Sequence, residues 1–257
     1  MFMEERHQKL SETIAAQGKI TIAEIRETYG ISDESARRDL RLLEQRGLCK
    51  RTHGGAIAPA QVRIRAAQDR DYATMPVFAN YRAIARAAAA EIAENDVVYL
   101  CGGSFGRAML EELPRDKRYT LVVNCVDLAK ALRSFENVET YLAGGRMRAS
   151  GSIVDSMAVE FVRRLHFDRC FLTGSGLTAA FGLSNGTDET AAFQRAVLAN
   201  SRRRTLLMPG AKLGRDAFVH VCPADTFNTV ITDREAAEDQ IAALEELGVL
   251  VAVTEEA

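Results

Sequence analysis

The sequence predicts an α/β protein: an N-terminal winged helix-turn-helix joined to a Rossmann-like, largely parallel sheet covered by helices. Three observations carry that expectation. Residues 21–56 read as a helix, a tight turn, a second helix and a basic hairpin. Beyond residue 79, short apolar runs alternate with helical stretches, the pattern of parallel strands connected by helices. Glycine-rich segments recur where those strands should end.

The first of the two helices opens at Thr21-Ile22-Ala23-Glu24, a capping box in which the Thr hydroxyl and the Glu carboxylate each satisfy an orphan backbone donor. Ile22, Ile25 and Tyr29 fall on one face, and Gly30 ends the run. Ser32 is the next N-cap, with Asp33 and Glu34 where the helix dipole favours negative charge. In this second helix Ala36, Leu40 and Leu43 share a face that should pack inward. A step of about 100° per residue then turns Arg38 and Gln45 outward, with Glu34 and Arg41 beside them and Ser35 and Arg37 on the flanks.

From Arg37 to Arg51 six basic residues stand against two acidic ones, a local balance of +4 in a chain of net charge −2. Such concentration is what phosphate neutralisation and counterion release require. A solvated, charge-laced helix is the alternative for any Arg/Glu-rich segment. The agreement between caps, glycine turn and basic hairpin favours a nucleic-acid interface.

This segment resembles the DNA-binding head of DeoR-family transcriptional repressors. Their signature is a Ser followed by Thr-Ile-Arg-Arg-Asp-Leu, then Leu-Glu, a Gly, and an Arg-x-His-Gly-Gly-Ala wing. Here those positions are Ser32, then Ser35-Ala36-Arg37-Arg38-Asp39-Leu40, Leu43-Glu44, Gly47 and Arg51-Thr52-His53-Gly54-Gly55-Ala56. Ser35 and Ala36 are mild departures from Thr and Ile. The resemblance implies a recognition helix in the major groove of a double-stranded DNA operator and a wing against the backbone or minor groove. Ser35 and Arg38 are then expected near base edges, and Arg37, Arg41, Lys50 and Arg51 on phosphates. His53 is expected as a wing residue held by its glycines, and Asp39 as an internal salt-bridge or helix-orienting residue rather than a base contact.

At 257 residues, 47% hydrophobic and 26% charged, the chain has the composition of an ordinary soluble protein with room for two domains. These are expected as a DNA-binding head over 1–57, a linker over 58–78, and an effector-sensing and oligomerisation domain over 79–257. The opening Met1-Phe2-Met3-Glu4-Glu5 lacks a basic n-region and an apolar h-region, so no signal peptide is expected. No apolar run approaches the ~20 residues of a membrane span. The five cysteines are odd in number and scattered, which fits a reducing cytoplasm rather than a disulfide framework. The histidines and cysteines do not cluster, so neither a metal nor another cofactor is expected. In the linker, Pro59, Pro76 and the mixed run Arg63 to Asp71 break periodicity. Arg63, Arg65 and Arg70 there would serve as extra phosphate contacts or as solvated charge.

In the second half, strands are expected at Val97–Cys101, Thr120–Asn124, Glu139–Ala143, Arg169–Thr173, Arg204–Met208, Thr229–Thr232 and Val249–Val253. Helices are expected at Ala83–Ala93, Ser104–Glu112, Val126–Phe135, Asp155–Leu165, Thr187–Asn200 and Arg234–Leu247. Ligands in such sheets collect beyond the carboxyl ends of the strands. There Gly102, Gly103 and Ser104 lead from a strand into a helix, a ready anion site. Asn124 ends the next strand, Gly144, Gly145 and Arg146 follow the third, Gly174 the fourth and Lys212 the fifth. A tight turn explains any one of them. Their recurrence favours one shared pocket, with Lys212 and either Arg146 or Arg148 as the cations for a phosphate.

The resemblance continues through Arg82-Ala83-Ile84-Ala85, Gly102-Gly103-Ser104, Asn124, Gly144-Gly145, Gly151-Ser152, Phe167-Asp168, Gly182-Leu183 and Lys212. It implies a domain similar to ribose-5-phosphate isomerases that senses phosphorylated sugars or related metabolites, and whose ligand loosens the repressor from its operator. The departures fall where the ligand should sit. Tyr81 stands for a Lys, Cys101-Gly102-Gly103-Ser104-Phe105 for Asp-x-Gly-Thr-Thr, Asp155 for Gly, Gln194 for Lys and Pro209 for Asp. They leave open a less charged, bulkier or differently phosphorylated ligand, or a pocket without one.

Two further readings compete. A sugar-phosphate isomerase with an extra head would need a base beside an acidic C–H. Cys101 and Pro209 occupy positions where a carboxylate would be useful, and Asp188 and Glu189 serve equally as helix N-terminal acids. No catalytic residue is therefore expected. An architectural DNA-binding protein would bind without responding to a ligand. In either regulatory reading a homo-oligomer, dimer or tetramer, is expected, because one winged helix reads few base pairs.

Overall fold

The computed structural model of the protein describes residues 3–17, 19–52, 54–57 and 77–255. The chain divides into two compact units between Gln61 and Val62. His53 and the linker positions Pro59, Arg63, Arg65, Arg70 and Pro76 lie outside the described residues.

The N-terminal unit contains α1 (Met3–Gln17), β1 (Lys19–Thr21), α2 (Ile22–Tyr29), α3 (Asp33–Gln45), β2 (Lys50–Thr52) and β3 (Gly55–Ile57). The capping box at Thr21 forms as the sequence requires: the Glu24 amide donates to Thr21 Oγ1 at 3.2 Å and the Thr21 amide to Glu24 Oε2 at 2.7 Å. Ser32 caps α3 through the Ser35 amide. Ala36, Leu40 and Leu43 turn inward on Leu10, Ile14 and Ile25, and all six are essentially inaccessible. At about 2 kcal/mol for each fully buried Leu or Ile side chain, this cluster contributes substantially to the head's stability.

Two elements of this unit were not anticipated, α1 and β1. Strand β1 pairs antiparallel with β3, and β3 with β2, so the wing is a three-stranded sheet rather than a hairpin alone. Strands β1 and β3 approach so closely that any side chain at Gly55 would collide with the Ile20 carbonyl oxygen.

The second unit runs α4 (Ala79–Ala90), β4 (Val97–Leu100), α5 (Gly103–Glu112), β5 (Tyr119–Val123), α6 (Val126–Leu132), β6 (Val138–Leu142), α7 (Ser156–Arg163) and β7 (Phe167–Leu172). It continues with β8 (Gly176–Thr178), β9 (Gly182–Asn185), α8 (Asp188–Ala199), β10 (Ser201–Leu207), β11 (Val219–Cys222), β12 (Thr229–Asp233), α9 (Glu238–Glu245) and β13 (Leu250–Thr254). Seven strands form one sheet in the order β13-β12-β10-β7-β4-β5-β6, and every pairing in it is parallel. All seven expected strands are there.

Four expectations need correction. A second sheet, β11-β9-β8, is antiparallel and occupies a stretch expected to hold only turns. Helix α9 starts at Glu238 rather than Arg234, because Asp233 Oδ1 accepts the Gly210 and Glu235 amides at 3.2 and 3.0 Å and makes a turn there. Helix α6 ends at Leu132 rather than Phe135, where the next three amides bond three residues back and tighten the chain into a 3₁₀-like turn. The Ala-rich helix α4 is also displaced toward the N-terminus of its expected span, ending at Ala90 where the Glu91 amide turns to Ala88.

Candidate functional site

In the N-terminal unit, α3 presents Arg37, Arg38 and Arg41 to solvent, and none of the three has an ion-pair or hydrogen-bond partner among the described residues. Ser35 is half-buried, its hydroxyl accepting from Ser32 Oγ at 3.1 Å. Lys50 and Arg51 lie on β2, where every residue is exposed. Arg51 is tied to the helix: its Nε donates to Glu44 Oε2 at 2.6 Å and its amide to Glu44 Oε1 at 2.8 Å. Those hydrogen bonds hold the Glu44 carboxyl below its ordinary value. The wing is thereby fixed to the end of α3.

The opposite face of α3 carries a charge the sequence could not pair. Asp39 is 3% exposed, receives Arg6 Nε at 2.7 Å and lies 2.9 Å from His7 Nε2. Burial alone would raise the Asp39 carboxyl, but hydrogen bonds from Arg6 and His7 outweigh it and hold the group below its usual value. The expected internal salt bridge of Asp39 is thus in place, and it sets α1 against the recognition helix.

In the second unit the expected effector residues lie beyond the carboxyl ends of adjacent strands. Gly102 caps α5 after β4, Asn124 follows β5, and Gly144, Gly145 and Arg146 follow β6. Gly174 follows β7, and Lys212 lies past β10. Much of this row is internally satisfied. Asn124 is buried, accepting from the Tyr99 hydroxyl at 2.9 Å and donating to the Ile153 carbonyl at 3.1 Å. Asp155 caps α7 and accepts the Arg146 amide at 3.0 Å, which lowers its carboxyl value. Its carboxylate fills the space beside Gly145, where φ is +146° and any Cβ would strike it.

The expected cations of the row are engaged as well. Arg146 and Arg148 both pair with Glu189, and Lys212 Nζ donates to the Gly174 carbonyl at 3.0 Å. Gln194 is buried between Asn185 and the Thr173 carbonyl.

Two other departures meet each other. Tyr81, in the first turn of α4, stacks on Phe105, in the first turn of α5, with ring centroids 4.5 Å apart and planes 20° apart. Burial, then the nearby Asp233 charge, raises the Tyr81 hydroxyl. Beside this stack opens a cleft of about 500 Å³ lined by Phe78, Asn80, Tyr81, Pro209, Lys212, Arg215 and Glu235 among others. Of the expected effector residues, Lys212 lines it. Phe78, Asn80, Arg215 and Glu235 escaped sequence reasoning, since they come from the start of α4 and the segments after β10 and β12. Cys101, buried just past the end of β4, has its thiol pushed up to about 12 by burial, which disfavours the thiolate.

The family follows from comparison of the whole chain. Residues 6–62 match the DeoR-like helix-turn-helix domain, and residues 79–234 match the DeoR C terminal sensor domain. The chain belongs to the DeoR family. It is similar to the HTH-type transcriptional regulator GlpR of Haloferax volcanii, with 30% identity over 254 residues and 98% of each chain covered. It is also similar to the lactose phosphotransferase system repressor of Staphylococcus aureus, with 28% identity over 237 residues, 91% of this chain and 93% of that one. Among solved structures, ribose 5-phosphate isomerase A from Methanocaldococcus jannaschii aligns with 52% of this chain and 53% of its own at 12% identity and a TM-score of 0.38. The eIF2B delta subunit from Chaetomium thermophilum aligns with 59% of this chain and 54% of its own at 19% identity and a TM-score of 0.41. As a DeoR-family member the chain is a DNA-binding transcriptional regulator and not an enzyme. Among the described residues no helix is long and apolar enough to cross a membrane, and no cluster of His, Cys, Asp and Glu could hold a metal.

Proposed function

We propose that this DeoR-family regulator represses a carbohydrate or related metabolic operon in the cytoplasm. In this reading α3 enters the major groove of an operator, Ser35 and Arg38 reach base edges, and Arg37, Arg41, Lys50 and Arg51 take phosphates. His53, outside the described residues, is the further DNA contact of this reading. A homo-oligomer places two heads on paired half-sites. Residues 79–257 bind a small metabolite, a phosphorylated sugar or a similar compound, and its binding releases the operator.

The observation that carries the DNA half is the exposed trio Arg37, Arg38 and Arg41, which has no ion-pair or side-chain hydrogen-bond partner among the described residues and lies on a helix whose inner face is packed. Similarity to a lactose phosphotransferase system repressor supports the metabolic half. The test is a gel shift on the DNA upstream of the chain's own gene, with nonspecific competitor and a panel of sugar phosphates. A specific shift released by one compound supports the whole reading. A shift that no compound releases removes the metabolite half, and the absence of a specific shift on that DNA counts against self-regulation.

A further inference from the structure

The effector cleft differs in chemistry from the glycine-rich row beside it. At the start of α5, the Gly102-Gly103 turn and the helix N-terminus would make an anion site. Phe105 extends from that first turn and is 1% exposed, and Tyr81 covers its ring face to face. A stacked pair of this kind is an apolar wall with no donor for a phosphate or a sugar hydroxyl, apart from the Tyr81 hydroxyl at its rim.

The wall continues into the cleft. Phe78 stands 6.0 Å from Tyr81, centroid to centroid, and is 59% exposed, so its ring is open to the cleft that it lines. Pro209 adds a further apolar surface. Opposite charge is sparse and local: Lys212 and Arg215 against Glu235. The neighbouring Asp233 carboxylate is 2% exposed and already accepts from Asn80 Nδ2 at 2.8 Å and from the Gly210 and Glu235 amides. The two cations and two carboxylates at the cleft balance one another, and of the carboxylates Asp233 is buried and hydrogen-bonded within the chain, which leaves Lys212 and Arg215 beside two rings.

We propose that the ligand of this cleft is an acid carrying an apolar, ring-sized group, seated with its ring on Phe78 and Tyr81 and its acidic group at Arg215 and Lys212. The inference rests on the effector-regulated reading above and names its ligand class. A volume of about 500 Å³ suits one ring with a short acidic arm. A polyhydroxylated phosphate seated the same way would press hydroxyls against the faces of Phe78 and Tyr81, with Asn80 and Glu235 the polar neighbours besides the cations, and any hydroxyl buried unpaired on the rings is unfavourable.

Titration calorimetry of the full chain tests this with four probes: phenylacetate and phenyl phosphate for the class, ribose 5-phosphate and glucose 6-phosphate against it. The ring-bearing acids should bind at least about tenfold more tightly than either sugar phosphate, the difference expected from aromatic contact and buried hydroxyls. Arg215→Gln, an exposed position that leaves the core intact, should weaken the ring-bearing acids about fivefold or more, in line with loss of a charged hydrogen bond. Tyr81→Leu should weaken them too, and Tyr81→Phe, which keeps the stack, should restore them if the ring is what matters.

Equal or tighter binding of a sugar phosphate overturns the proposal, as does binding of none of the four probes at millimolar concentration. So does ring-acid binding that ignores both Arg215→Gln and Tyr81→Leu. The operator gel shift separates this failure from that of the parent reading. A sugar phosphate that releases the DNA keeps the regulator and removes only the ring-bearing ligand.

Discussion

The head and the sensor domain spend their charges in opposite ways. On α3 the acid is buried and paired, Asp39 with Arg6 and His7, while Arg37, Arg38 and Arg41 are left to solvent. Around the sheet's carboxyl end, the cations are the ones consumed, Arg146 and Arg148 by Glu189 and Lys212 by the Gly174 carbonyl. Asp155 even supplies an internal anion beside Gly145. The three arginines of α3 thus keep their charge uncommitted among the described residues, while Arg51 on the wing is tied to Glu44. A surface whose charges are largely satisfied within the chain offers less to a polyanion, and the ligand proposed for the cleft beside Tyr81 combines apolar contact on Phe78 and Tyr81 with a single acidic group at Arg215 and Lys212.

The strongest way to break the comparison lies in the buried triad. Asp39→Asn leaves Arg6 without its carboxylate, and breaking a buried pair by removing one partner costs about 3 kcal/mol. Hydrogen exchange of the α1 and α3 amides should show that loss in the full chain, whereas unchanged protection would mean the triad contributes nothing. The pH dependence has a fixed sign. Because the folded Asp39 value is depressed, its stabilisation is complete above the unfolded carboxylate value of about 3.9 and is lost as pH falls through the lower folded value. Protection of α1 and α3 should therefore collapse only under acid conditions in the parent and lose that acid step in Asp39→Asn.

Next in size is Arg38→Ala, expected to weaken operator binding by about 1–3 kcal/mol and to relax discrimination at one base position. Competition with single-base operator variants measures it, and unchanged binding would mean that α3 is turned differently on the DNA. Glu189→Gln should change stability by less than about 1 kcal/mol in a urea titration, since its partners sit on the surface. A loss as large as that of Asp39→Asn would erase the contrast between the two domains. The smallest effect belongs to Lys50→Ala, which should lower the salt slope of operator binding by about 1 with little change in sequence preference.

How far the sequence foretold these features depends on the range over which each is determined. The caps at Thr21 and Ser32 and the inward face of Ala36, Leu40 and Leu43 are set within one or two helical turns, so local reading recovers them. The seven parallel strands announce themselves as apolar runs because both faces of the sheet are covered. Strands β8, β9 and β11 have three or four residues each, too few to show an alternation, and β8 and β9 each open on a glycine, a residue that signals a turn. Helix α1 has a readable pair, Leu10 and Ile14 four residues apart, set among polar residues that hid it.

The partners in the sites were the least legible. Asp39 finds Arg6 33 residues away, and the Tyr81–Phe105 stack joins the starts of two different helices. The sequence showed that Tyr81, Phe105 and Asp155 were unusual. Only the packing shows that the first two answer each other and that the third fills a space a glycine leaves.

The most direct test of the account is the salt dependence of the full chain on its upstream DNA, measured by fluorescence anisotropy for the parent and for the double variant Arg37→Ala/Arg41→Ala. If the uncommitted arginines of α3 take phosphates, the parent shows a steep linear fall of log affinity with log salt. The double variant's slope should then be shallower by about 2, close to one counterion released per lost contact. Identical slopes in the two proteins would contradict it, and would place the DNA contact on another surface of the molecule.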